Sequence, residues 1–138
     1  HRRRLYLDVL GADFRGEDSI FVPLGEAPLS DGQIPFAVRF HLHPSVKVTL
    51  AQDQNSALLI QPGGQGWRFR TDSGPLKLEK SVYLGEGYQP RRTEQLVING
   101  NAYCDGDGQA RTNRVRWTLK RMGKIDNIPG NSRNERRA

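Results

Sequence analysis

Apolar and polar residues alternate along most of this chain, and most clearly in Pro35–Pro44, PFAVRFHLHP. Phe36, Val38, Phe40 and Leu42 fall on one face, and Ala37, Arg39, His41 and His43 on the other. This is the period-two pattern of a half-buried strand, with one face for packing and one equipped for chemistry. Proline cannot donate a ladder hydrogen bond, so Pro35 and Pro44 are expected to bound the strand.

The same period recurs before and after it. Leu5, Leu7 and Val9 share a face in Arg4–Val9, and Gly11-Ala12-Asp13 turns the chain into a short strand through Phe14 towards Ile20-Phe21-Val22. Pro23–Gln33, with two prolines and two glycines, reads as a long loop. Val46, Val48 and Leu50 alternate with Lys47 and Thr49, and Ala57–Ile60 is a short apolar run suited to a buried strand. Trp67-Arg68-Phe69-Arg70 sets its aromatics on one face. Leu76–Leu84 starts in phase, and a slip near Lys80-Ser81 suggests a β-bulge. Arg91–Ile98 is expected to end at Asn99-Gly100, and Asp105-Gly106-Asp107-Gly108 to form a tight turn. In Arg114–Arg121, Val115, Trp117 and Leu119 face inward, while Arg116, Thr118 and Lys120 face outward.

Eight or nine short strands without a helical period predict an all-β antiparallel sandwich over residues 1–122. From Gly123 to 138, polar residues and arginine predict a disordered basic tail. Composition agrees: 138 residues, 36% hydrophobic, with 15 glycines and 8 prolines, suit one turn-rich β domain. No apolar run approaches the ~20 residues that span a bilayer, and no signal peptide opens the chain. A first residue other than methionine suggests a piece cut from a longer chain.

Charge adds a partner class. The net charge of +6, from 21 basic and 15 acidic residues, favours polyanions such as acidic polysaccharides or nucleic acids. Nucleic acid ranks last, because exposed aromatics are not interleaved with the basic residues and no recognised binding motif is present. Arg39, His41 and His43 are the candidate substrate-binding residues, three cationic or protonatable groups projecting the same way. His1 and Asp18 are the only other groups that could join the histidines around a metal. Asp105–Gly108 lacks a calcium loop's length and terminal glutamate, and Gly63-Gly64-Gln65-Gly66 lacks the lysine of a phosphate loop. Cys104 is the single cysteine, which rules out a disulfide within the chain. Arg91-Arg92-Thr93-Glu94 suggests an internal ion pair, and Trp67 and Trp117 read first as core anchors.

Several segments, in this order, resemble the C-terminal part of bacterial heparinase II/III-like proteins. They are His1–Leu5, Leu10-Gly11 with Gly16-Glu17-Asp18, Phe36–Pro44, Gly66–Arg70, Ser81–Gly85 and Arg91–Gln95. The resemblance implies the distal β-sandwich of a polysaccharide lyase, preceded by an α/α toroid and a proximal sandwich. Such a carbon–oxygen lyase cleaves acidic, uronic-acid-containing polysaccharides by β-elimination, and it is periplasmic or secreted. The resemblance puts the catalytic tyrosine, asparagine and histidine motifs upstream, together with any divalent metal such as zinc. No catalytic or metal residue is therefore assigned here, no cofactor is expected in this piece, and the piece alone should be inactive. The alternative is a free-standing carbohydrate-binding sandwich without catalysis.

Overall fold

The structure is a computed structural model that describes residues 1–21, 32–104 and 113–125. The described residues form nine strands and no helix: β1 (Arg2–Leu7), β2 (Asp13–Ser19), β3 (Gly32–His41), β4 (Lys47–Leu50), β5 (Ser56–Ile60), β6 (Gln65–Thr71), β7 (Leu76–Tyr83), β8 (Arg91–Cys104) and β9 (Arg114–Lys124). They build two antiparallel sheets, a six-stranded one in the order β1-β2-β9-β6-β5-β4 and a three-stranded one in the order β3-β8-β7. The expected all-β sandwich is what the chain forms.

The alternating residues supply its interior. Val38, Leu76, Leu96 and Ile98 of the small sheet meet Ala57, Leu59, Phe69, Val115 and Trp117 of the large one. Trp117 is the hub. Phe14 and Phe40 meet its ring edge-on at centroid distances of 5.4 and 5.0 Å, and Phe69 stacks on it at 6.0 Å. These are the offset geometries that aromatic quadrupoles favour. Gly16 lies directly opposite Trp117 in the β2–β9 register, and a Cβ there would sit 2.1 Å from the indole. Glycine is required at that position for space. Trp67, the other sequence-predicted anchor, is half-buried against the core and donates its indole N–H to Gln61.

Several boundaries differ from the sequence reading. Strand β3 begins at Gly32 and runs through Pro35, because β3 is an edge strand and half of its N–H groups have no ladder partner to lose. Strand β8 does not stop at Asn99-Gly100. Gly100 faces Phe36, whose ring would lie 2.4 Å from a Cβ, so the glycine makes room for an aromatic instead of turning the chain. No bulge interrupts β7, whose register with β8 is unbroken from Leu76 to Tyr83. Its inward positions after Leu78 simply outrun the core, and Val82 is exposed. The register shift lies between Gln65 and Trp67, opposite β9. Strand β9 extends to Lys124, and the Ile125 N–H donates to the Gly64 carbonyl, so the first residues of the expected tail belong to the sandwich. Most of the long loop, the Asp105–Gly108 turn and residues 126–138 lie outside the described residues.

The two sheets differ in width, and the three-stranded one leaves β1 uncovered. Leu5 and Leu7 point to the inner side yet are 58% and 60% exposed. Val9, expected in the first strand, lies beyond its end and is fully exposed.

Trp117→Ala should cost about 3–5 kcal/mol in denaturant melts. Gly16→Ala, which forces the indole off its site, should cost about 1–3 kcal/mol. A loss below about 0.5 kcal/mol for either, the size typical of surface changes, would contradict the packing.

Candidate functional site

Alternation does place Arg39, His41 and His43 together, on the outer face of the three-stranded sheet. Central strand β8 passes between β3 and β7, so side chains from the two edges can meet across it. Arg39 Nη1 donates to Glu79 Oε2 at 3.0 Å, over Val97, which is fully buried beneath. One turn of the pleat further on, His41 Nδ1 lies 2.8 Å from Ser81 Oγ. Beyond the strand end, His43 Nδ1 accepts from the Ser45 N–H and lies 2.7 Å from Ser45 Oγ. Its ring meets Tyr83 edge-on at 4.8 Å, and its Nε2 stands 3.7 Å from Glu86. Arg91 pairs with Glu86 at 3.0 Å, so the ion pair expected at this strand start forms across the preceding loop and not with Glu94.

Gln95 lies in register with His41 on one side and Glu79 on the other. Its Nε2 donates to the Lys80 carbonyl, while its buried Oε1 has no hydrogen-bond partner among the described residues. A buried acceptor left unpaired costs about 1–3 kcal/mol. Sequence reasoning missed this glutamine because an outward-phase residue reads as solvated. Only the arching pairs on either side bury it.

His1 and Asp18 also meet, at 2.8 Å between Nε2 and Oδ1. They do so at the margin of the sandwich interior, not beside His41 and His43. Asp18 is 2% exposed, and each of its oxygens takes two donors. Oδ1 accepts from Arg3 Nε at 2.7 Å besides His1, and Oδ2 accepts from Arg3 Nη2 at 3.1 Å and Trp117 Nε1 at 3.0 Å. The Arg3 guanidinium also lies 5.6 Å from the Phe40 ring centre and 5.8 Å from that of Trp117, a cation–π arrangement. A carboxylate already saturated by a guanidinium does not fit a metal ligand. Among the described residues no three His, Cys, Asp or Glu side chains converge as a metal site would require.

The larger accumulation of charge is on the outer face of the six-stranded sheet. Arg4 and Tyr6 of β1, Arg15 and Glu17 of β2, and Arg116 and Thr118 of β9 form two parallel rows across three strands. They wall a shallow depression of about 380 Å³ floored by the backbone of Leu5, Gly16 and Trp117. The rows continue onto β6, where Arg70 opposes Thr118 and Arg68 opposes Lys120. Asp13 pairs with Arg15 at 2.7 Å and lies 4.0 Å from Lys120, and Glu17 pairs with Arg116 at 3.2 Å and Arg114 at 3.7 Å. The Arg15 hydrogen bonds hold the Asp13 carboxyl below its ordinary pKa of 3.8.

Comparison with known proteins decides the family. The profile for heparinase II/III-like, C-terminal, matches residues 1–118. The chain belongs to this family. It is also similar to FtsZ-localized protein C of Caulobacter vibrioides (strain NA1000 / CB15N), at 32% identity over 122 residues, covering 86% of this chain and 20% of the relative. The chain thus spans about a fifth of that relative's length. No solved structure matches.

Two measurements test this geometry. Arg3→Ala strands the Asp18 carboxylate with two remaining donors and should cost about 3 kcal/mol, the lower end for breaking a buried pair. Arg15→Ala should raise the Asp13 titration midpoint towards 3.8 in a carboxyl NMR titration. In the native chain, the depressed folded value means that the stabilisation is present above the unfolded pKa. It is lost as pH falls through the folded one.

Proposed function

We propose that this domain is the accessory distal sandwich of a longer acidic-polysaccharide lyase, which cleaves uronic-acid-containing chains by β-elimination. The family match over residues 1–118 carries this reading. Elimination needs a base at the sugar proton, neutralisation of the carboxylate and an acid for the leaving oxygen. The sandwich's part is to brace the catalytic half of the parent and to present the Arg39, His41 and His43 face to that half or to the outer cleft. The cross-strand partners of Arg39 and His41 support a positioning role, since both side chains are already held by Glu79 and Ser81. A catalytic metal, where the parent uses one, is assigned to upstream residues, and a periplasmic or secreted location goes with such a substrate.

The relative's name favours a second reading, in which the parent localises with FtsZ and does not act in polysaccharide breakdown. Tagged full-length parent imaged together with tagged FtsZ separates the two. Co-localisation with FtsZ supports the second reading, and a signal independent of FtsZ, together with release of unsaturated product from uronate polymers, the first.

His41→Ala and His43→Ala in the full-length parent should raise KM or lower stability more than they lower kcat, followed by ultraviolet absorbance of the unsaturated product and by thermal melts. Loss of several orders of magnitude in kcat, with KM and fold intact, would make this strand catalytic and sink the accessory reading.

A further inference from the structure

We propose that the outer face of the six-stranded sheet is a second binding surface for acidic polysaccharide, separate from the Arg39–His43 face. The proposal rests on the reading above that the parent's polymer is an acidic polysaccharide, and it places a tether on the opposite side of the sandwich.

Charge complementarity carries it. Four neighbouring strands, β1, β2, β9 and β6, present Arg4, Arg15, Arg116, Lys120, Arg68 and Arg70 on one exposed face, against the carboxylates of Asp13 and Glu17, with Asp72 and Asp53 at its margin. The ion pairs among the described residues engage Arg15, Arg114, Arg116 and Lys120, and leave Arg4, Arg68 and Arg70 outside them. Arg70 lies within electrostatic reach of Asp53, so Arg4 on one side and Arg68 on the other are the guanidiniums that flank the paired ones and extend the positive surface across the sheet. A guanidinium also meets carboxylate or sulfate through two parallel N–H donors.

Geometry selects the kind of polyanion. In register, Arg4 and Arg116 flank Glu17, and Arg15 and Arg70 flank Thr118, so at about 4.8 Å per strand the cations of a row stand roughly 9–10 Å apart, and only Lys120 and Arg68 are direct neighbours. The depression offers a phenol ring at Tyr6 and a hydroxyl at Thr118, groups suited to a sugar ring and its hydroxyls. A sheet face carries no helix or ribbon to enter a duplex groove. One tyrosine at the edge strand is not the run of aromatics that stacks successive bases. A polymer held here while another stretch occupies a catalytic cleft would bind with avidity beyond either contact alone.

The experiment is isothermal titration of the 138-residue chain with alginate, heparin, neutral dextran and single-stranded DNA at low and moderate salt. Thermal melts check the fold of each variant. We expect binding to alginate and heparin that weakens with salt, none to dextran, and weaker binding to DNA. The double variant Arg68→Glu/Arg70→Glu, and separately Arg4→Glu, should weaken binding by at least about tenfold. Arg68→Lys/Arg70→Lys should retain most of it. Lys80→Glu, the same charge change as Arg4→Glu at an exposed position on neither outer face, should have little effect. Overturning results are a loss in Lys80→Glu equal to that in Arg4→Glu, no loss in the folded Arg68/Arg70 double variant, DNA binding tighter than that of both polysaccharides, or no binding to either polysaccharide. Elimination by the full-length parent, measured independently, keeps the two questions apart. A parent that cleaves uronate polymers while these variants bind normally refutes this surface and leaves the lyase reading standing.

Discussion

The sandwich depends on how Trp117 is held. Its indole lies against Gly16, receives the edges of Phe14 and Phe40, and stacks on Phe69. Its N–H ends on Asp18, a carboxylate buried beside an apolar core. Burying that charge would cost several kcal/mol without partners. Arg3 and His1 supply them, and Arg3 also covers the aromatic cluster. One residue thus ties the edge strand β1 to β2 and β9 and fixes the register in which both faces of the large sheet are presented.

That register has a functional consequence. With Val115, Trp117 and Leu119 committed inward, Arg116, Thr118 and Lys120 must face out, directly opposite the outward residues of β2 and β6. The basic surface is the other side of the core pattern. The three-stranded sheet works differently. Its outward polar residues close over β8 through Arg39–Glu79 and His41–Ser81, so that face is knitted together while the large one keeps unpaired guanidiniums. The small sheet's outer face is thus closed by its own polar pairs, and the larger accumulation of charge lies on the opposite side of the sandwich.

Much of this was legible in the chain itself. Period-two alternation needs only the pleat, so it foretold an all-β sandwich, the inward set Phe36, Val38, Phe40 and Leu42, and the burial of Trp117. The same rule put Arg39, His41 and His43 on one face. It also carried an unused signal: Arg3 and Asp18 share the inward phase with their strands' apolar residues, and two opposite charges in that phase imply a pair. Glycine and proline misled because each has more than one role. Gly100 reads as a turn until Phe36 is seen above it, and Pro35 reads as a strand end until β3 is known to be an edge.

Strand order was settled by the tertiary structure alone. Nothing local states that β9 lies between β2 and β6, separated from them by long stretches of sequence. That neighbourhood gathers arginines from Arg4 to Arg116 onto one surface, and it depends on which long-range pairings bury most apolar area. The uncovered β1 edge, the buried Gln95 and the four-donor setting of Asp18 have the same origin. Sequence determined which way each side chain faces along its own strand, because alternation is a property of the backbone. Which side chains face each other was decided by packing, because only the assembled sheets bring distant strands within contact.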